Sequence, residues 1–200
     1  MIGIIDYGAG NLRNVQKALS FLGEQSVIAG EAEVLDRCER LILPGVGAFP
    51  AAMEKLQSRG LHDFIRDYIR TRPMLGICLG MQLLFERSYE FSRCDGLGLI
   101  EGEVVRLPER TGYKIPHMGW NALSMRTPCR LLDGVTEGEY VYFVHSYYAA
   151  VARAENLAAV TDYGMDVTAV VAAGNVYGTQ FHPEKSDKTG LRILKNFCSL

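Results

Sequence analysis

The sequence predicts an α/β domain: a central, mostly parallel sheet flanked by helices, with antiparallel strands added in the second half. Three observations carry this. Up to Phe85, short apolar runs alternate with segments whose apolar residues recur at helical spacing, the pattern of strands joined by helical crossovers. Beyond Phe85 the helical spacing gives way to successive strand-like runs separated by turn residues. The 200 residues, 48% of them hydrophobic, contain no linker, repeat or low-complexity segment, so one domain over 1–200 suffices.

Met1-Ile2-Gly3-Ile4-Ile5-Asp6 reads as a first core strand and is too short for a signal peptide or membrane span. Asp6-Tyr7-Gly8-Ala9-Gly10-Asn11 reads as a tight turn, with Asn11 capping the helix that follows. It lacks the third glycine of a dinucleotide fingerprint. Leu12, Val15, Leu19 and Leu22 mark that helix, and Gly23 stops it. Ser26 to Ala29 and Leu41 to Leu43 read as strands two and three. The third ends in Pro44-Gly45-Val46-Gly47-Ala48-Phe49, either an ordinary loop or one aiming backbone N–H groups at a ligand. Leu61, Phe64, Ile65, Tyr68 and Ile69 give an amphipathic helix.

Pro73-Met74-Leu75 then opens a short strand that passes through Gly76-Ile77-Cys78-Leu79-Gly80 into an apolar, helically spaced stretch ending at Phe85. Glycines two residues either side of a cysteine point to a sharp strand-to-helix turn, with sulfur in the place of the serine oxygen of a nucleophile elbow. Cys78 then sits at a helix N-terminus, where free N–H groups favour a thiolate. The Leu79 N–H points at any oxyanion formed beside it. Downstream, Gly98 to Leu107, Gly119 to Leu123, Tyr140 to Tyr148, Leu157 to Thr161, Val167 to Ala172 and Val176 to Phe181 read as strands. Leu191, Leu194, Phe197 and Cys198 mark a final helix.

A catalytic thiolate needs an imidazole. His62 opens an amphipathic helix and reads as a surface residue. His145 lies in the strand-like run Tyr140 to Tyr148, and His117 lies in P-H-M-G-W-N at 116–121. His182 follows a core strand in F-H-P-E-K-S, where Pro183 stiffens the turn and Glu184, two residues on, can face the ring. Cys78, His182 and Glu184 together have the roles of a nucleophile–base–carboxylate triad. A net charge of −2 with both signs dispersed gives no reason to expect nucleic acid or an anionic membrane as partner. Five scattered cysteines without C-x-x-C spacing argue against a zinc site or disulfide framework and fit a reducing cytoplasm. No residue cluster calls for a metal or an organic cofactor.

P-G-V-G-A-F at 44–49, G-I-C-L-G-M-Q at 76–82 and F-H-P-E-K-S at 181–186 together resemble the triad (class I) glutamine amidotransferases. D-Y-G-A-G-N at 6–11, P-H-M-G-W-N at 116–121 and Y-F-V-H-S-Y-Y at 142–148 resemble, more narrowly, the glutaminase subunits of imidazole glycerol phosphate synthases. The match runs from the first strand to the last helix; only Glu90 to Asp95, read as a surface loop whose sequence matters little, falls in no motif. The resemblance implies a single glutamine amidotransferase type-1 domain that hydrolyses L-glutamine. Ammonia would pass to a cyclase subunit, as in a heterodimer of L-histidine biosynthesis. It further implies Cys78, His182 and Glu184 as the triad and Leu79, Val46 and Gly47 around the oxyanion. Gly47, Gln82, Ser146 and Tyr147 would bind glutamine, and Asn11, Met118, Trp120, Tyr142 and Lys185 would meet the partner. From the residues alone, Trp120 and Tyr142 read equally as core aromatics. The rival readings are the glutaminase of another synthase, such as that making pyridoxal phosphate, a peptidase with a similar elbow, and a catalytically silent binding subunit.

Overall fold

A computed structural model describes residues 1–200. In chain order it contains β1 (Ile2–Ile5), α1 (Leu12–Phe21), β2 (Ser26–Ala29), α2 (Ala32–Leu35), β3 (Arg40–Gly45), α3 (Phe49–Ser58) and α4 (Leu61–Tyr68). The elbow region follows as β4 (Met74–Cys78), α5 (Leu79–Gln82), β5 (Phe85–Ser88), β6 (Cys94–Asp95) and β7 (Ile100–Arg106). The second half holds β8 (His117–Ala122), β9 (Ser124–Met125), β10 (Tyr140–His145), β11 (Tyr147–Val151), β12 (Leu157–Asp162), β13 (Asp166–Ala173), β14 (Val176–Thr179) and α6 (Asp187–Cys198).

Eight strands form the main sheet in the order β2-β1-β3-β4-β14-β13-β12-β9. The first five pair in parallel and the last three run antiparallel. Alternation along the strands sends successive side chains to opposite faces. Ile5, Leu41 and Leu43 join one core, with Phe49, Met53, Leu56 and Ile65 from α3 and α4. Ile4, Ile42, Leu75 and Ile77 join the other, with Val15 and Leu19 of α1 and Ile193, Leu194 and Phe197 of α6. The result is a three-layer sandwich in which the parallel strands β1, β3, β4 and β14 end on one edge of the molecule. No helix is long and apolar enough to cross a membrane.

The α/β class, the mostly parallel sheet and the antiparallel additions agree with the sequence expectation. Several details differ. Only β9, β12 and β13 add antiparallel strands to the main sheet; β10 with β8, and β11-β7-β5-β6, build two smaller sheets. The run Tyr140 to Tyr148 is two strands, not one, because the chain changes sheets at Ser146. The helix after Cys78 stops at Gln82, and Phe85 opens a strand, because Leu97, Gly98 and Leu99 draw Leu83, Leu84 and Phe85 into backbone bonds with them. Helix α3 was not foreseen although Phe49, Ala52, Met53 and Leu56 have helical spacing and Pro50 occupies its first turn, where a missing N–H costs nothing. Glu90 to Asp95 is not an inert loop: it contributes β6, and the Glu90 carboxylate accepts the Phe49 N–H at 2.7 Å, at the first residue of α3. Asn11 does sit at the head of α1, but its side chain makes no capping bond.

Candidate active site

The elbow is imposed by backbone contact. A Cβ at Gly80 would lie 1.8 Å from the Leu43 carbonyl oxygen, and one at Gly76 would lie 2.6 Å from the Gly80 carbonyl oxygen. Only glycine lets the chain double back so closely against β3. At the apex Cys78 has φ 55° and ψ −112°, a conformation that costs a non-glycine residue on the order of 1–3 kcal/mol and marks a functional position. Its sulfur lies 3.8 Å from the Gln180 Nε2 and 3.9 Å from the Val144 carbonyl oxygen. Because α5 is a single turn, the electrostatic support for a thiolate rests less on a helix dipole than on the side chains around the sulfur.

His182 supplies the nearest charge. Its Nδ1 lies 2.9 Å from the Glu184 Oε1, and both side chains are almost wholly buried. Burial pulls the imidazole down. The hydrogen bonds and negative charges of Cys78 and Glu184 outweigh it and push the ring up to about 9. A protonated imidazole beside the sulfur is the counter-charge a thiolate needs, and it carries the proton that a leaving amine must acquire. The His182 segment is pinned to the neighbouring strand β10. The His182 N–H donates to the Tyr142 carbonyl, the Tyr142 N–H donates to the Ser186 hydroxyl, and that hydroxyl donates to the His182 carbonyl.

These groups open on a cavity of about 380 Å³, a size suited to a small amino acid. Cys78, Leu79, His182, Val46, Gly47, Gln82, Ser146 and Tyr147 all line it. Gly47 has φ +100° with open space where a Cβ would be, so the loop after β3 relies on glycine for its conformation rather than for room. Gln82 donates from Nε2 to the Tyr147 carbonyl at 2.8 Å and to the Gln180 Oε1 at 3.0 Å. With both N–H groups so engaged, its own oxygen can only accept, which suits an ammonium or amide N–H of a ligand. No group of three His, Cys, Asp or Glu side chains is arranged to hold a metal ion.

Five residues at the site were not assigned to it from the sequence: Gln180 beside the sulfur, and Glu90, Pro116, Val144 and His145 lining the cavity. Gln180 is fully buried and aims its amide at the sulfur. It lies just past the end of β14, where the chain bends towards His182, so no strand alternation in the sequence pointed to it. Glu90 lines the cavity while holding Phe49, and no local pattern connects residues that far apart.

Asn11, Met118, Trp120, Tyr142 and Lys185 do not line the cavity. Met118 and Trp120 are 62% and 52% exposed, so the reading of Trp120 as a core aromatic fails. Trp120 pairs across strands with Tyr142, ring centroids 6.0 Å apart and edge to face. Tyr142 is half-buried, Asn11 likewise, and Lys185 is exposed. His62 pairs with Asp63 at the surface.

The family model for glutamine amidotransferase class-I matches residues 3–199. The chain is 52% identical over 198 residues to the "Imidazole glycerol phosphate synthase subunit HisH" of Caldanaerobacter subterraneus subsp. tengcongensis, covering 98% of this chain and 97% of the relative. It is 52% identical over 205 residues to the subunit of the same name from Geobacillus thermodenitrificans, covering 100% and 96%. Among solved structures, a glutamine amidotransferase superposes with a TM-score of 0.77 at 21% identity, over 99% of this chain and 97% of that one. PurLQS from Thermotoga maritima superposes with a TM-score of 0.74 at 22% identity, over the same shares, a likeness of fold alone.

Proposed function

The chain belongs to the class-I glutamine amidotransferases, among the imidazole glycerol phosphate synthase HisH subunits, and from that premise we propose its reaction, residue by residue. It is the glutaminase subunit of this synthase: it hydrolyses L-glutamine to glutamate and ammonia for L-histidine biosynthesis. The partner is a cytoplasmic cyclase subunit that uses the ammonia to convert a phosphoribulosyl-formimino-carboxamide ribotide into imidazole glycerol phosphate and aminoimidazole carboxamide ribotide. The Cys78 sulfur attacks the side-chain carboxamide carbon, and His182 gives its proton to the departing nitrogen. The same ring then takes a proton from water, which attacks the thioester and frees glutamate. Glu184 holds the ring in the tautomer that faces the sulfur. The Leu79 N–H and one from the Val46-Gly47 loop stabilise the oxyanion. Gly47, Gln82, Ser146 and Tyr147 bind the glutamine.

One observation carries the reading: a strained cysteine at a glycine-enforced elbow, facing an imidazole bonded to a buried carboxylate at 2.9 Å. An intact triad speaks against a silent binding subunit, and the full-length likeness to the HisH subunits speaks against service to another synthase.

Ammonia loses its nucleophilicity once protonated in bulk water, so the partner should cover the cavity mouth. On the β8–β10 pair, Met118, Trp120 and Tyr142 share a face with Val144, which lines the cavity. The exposed apolar patch is thus continuous with the site, the disposition expected of a docking surface. Asn11 follows β1, and Lys185 follows the triad histidine, so both flank the same sheet end. The test is to mix the purified chain with the cyclase and measure glutamate release. Release in the complex, with little from the free chain, is expected; none in either sinks the assignment.

A further inference from the structure

His117 and His145 take no part in the hydrolysis, yet both are buried, at 2% and 6% exposure, directly opposite one another in the β8–β10 register. The His145 Nδ1 lies 2.9 Å from the Tyr147 carbonyl oxygen, the same oxygen that accepts Gln82. The His145 Nε2 lies 3.0 Å from the His117 Nδ1. The His117 Nε2 lies 3.4 Å from the Asn121 Nδ2. Asn121 is itself oriented, donating to the Asp162 carbonyl and accepting the Ala122 N–H, each at 2.8 Å.

Proton positions follow from these ends. A carbonyl can only accept, so the His145 Nδ1 carries hydrogen; a neutral imidazole has one donor and one acceptor, so its Nε2 accepts. The His117 Nδ1 therefore donates and its Nε2 accepts from Asn121. Every link in the chain points one way, towards Tyr147. A second proton on either ring would set donor against donor, and burial holds both rings neutral, pushing His145 down to about 3 and His117 down to about 4. The His117 ring is further fixed between Phe143 and Tyr163, with centroids at 4.7 and 3.9 Å.

The far end of this chain is the place where the polypeptide leaves one sheet for another. Val144, His145, Ser146 and Tyr147 line the cavity there, outside the regular pairing of the main sheet. Resting on the glutaminase reading above, we infer that His145, locked in one tautomer by His117, is a positioning residue that fixes the Ser146–Tyr147 wall for glutamine and ties it to the partner-facing strand β8. Without the His145 donor the Tyr147 carbonyl keeps only Gln82, and the wall that receives the substrate loses its second anchor.

The test compares His145→Leu, which removes the donor, with His145→Asn, whose amide nitrogen takes the place of Nδ1. Both are measured in the complex with the cyclase. In His145→Leu the KM for glutamine should rise about ten-fold, the worth of one well-made hydrogen bond. Its kcat should change less, and the ammonia-driven reaction should match that of the unaltered complex. His145→Asn should recover most of the lost affinity. In parallel, ¹⁵N-histidine NMR of the intact subunit should show His145 protonated on Nδ1 and not on Nε2. Three results overturn the inference: an unchanged KM in His145→Leu, an Asn variant as impaired as the Leu variant, or a His145 protonated on Nε2. Should His145→Leu fail to fold, the Asn variant and the tautomer decide. Absence of glutamate release from the unaltered complex refutes the glutaminase reading instead, and the tautomer still tests the hydrogen-bond chain.

Discussion

Replacing Trp120 with alanine separates the docking role of the β8–β10 face from a structural one. Truncating a fully buried tryptophan costs about 3–5 kcal/mol. Trp120 keeps 52% of its surface in water and makes one edge-to-face contact, with Tyr142. Such a contact is worth about 0.5–1.5 kcal/mol. With the modest area it shields, the total is about 1–2 kcal/mol. For a chain of this length that lowers the melting temperature of the free subunit by about 5 °C. At the centre of an interface, a tryptophan commonly contributes about 2 kcal/mol or more, so affinity for the cyclase should fall about 30-fold. Differential scanning fluorimetry of the free subunit measures the first quantity and titration with the cyclase the second. The ratio of glutamate released to imidazole product formed gives a third reading, and it should rise above one as ammonia escapes. A drop of more than about 10 °C, with cyclase affinity and the ratio both unchanged, would refute the reasoning and return Trp120 to the core.

Cys78→Ala should abolish glutamine-dependent synthesis while sparing the ammonia-driven reaction of the complex; normal glutamine turnover in that variant would remove Cys78 from the chemistry. His182 is raised from 6.5 to about 9 in the folded chain, so its contribution to stability is complete below pH 6.5 and is lost as pH rises through 9. Chemical denaturation across that window should show declining stability, with a shallower decline in Glu184→Gln, which lacks one of the negative charges that raise the ring. Glu90→Ala should cost about 1 kcal/mol through the orphaned Phe49 N–H. Because α3 starts directly after the Val46-Gly47 loop, it should also lower glutamine turnover in the complex; unchanged stability and turnover would show the Glu90 contact to be idle.

The parts of this molecule that were legible in the sequence are those dictated locally. Gly76 and Gly80 announce the elbow because a Cβ at either would strike backbone, and period-2 and period-3.6 patterns separate the parallel strands from α1, α4 and α6. The His182–Glu184 pair was legible because both residues lie on one short segment. What escaped depends on contacts distant in sequence. Valine and aromatic residues dominate the Tyr140 to Val151 stretch, and no glycine or proline marks the change of sheet at Ser146. Leu83-Leu84-Phe85 fits a helix as well as a strand, a standing ambiguity of short apolar runs. Glu90 reached its place across some forty residues of chain, and the exposure of Trp120 was a matter of which face of β8 the fold left uncovered.

The Ser186 hydroxyl accepts the Tyr142 N–H and donates to the His182 carbonyl, and so couples the imidazole segment to β10. Cys78 sits beside the close approach of Gly80 to the Leu43 carbonyl of β3. The His182–Ser186 segment is joined to β10 by the His182 N–H on the Tyr142 carbonyl and by the Tyr142 N–H on the Ser186 hydroxyl. Both reacting groups therefore meet β10, the imidazole through Tyr142 and the Cys78 sulfur across 3.9 Å from the Val144 carbonyl, so a partner seated on the Trp120–Tyr142 face bears on the two together. A glutaminase that runs without a partner could be sought among variants of the Tyr142–Ser186 linkage without touching any group that handles the substrate.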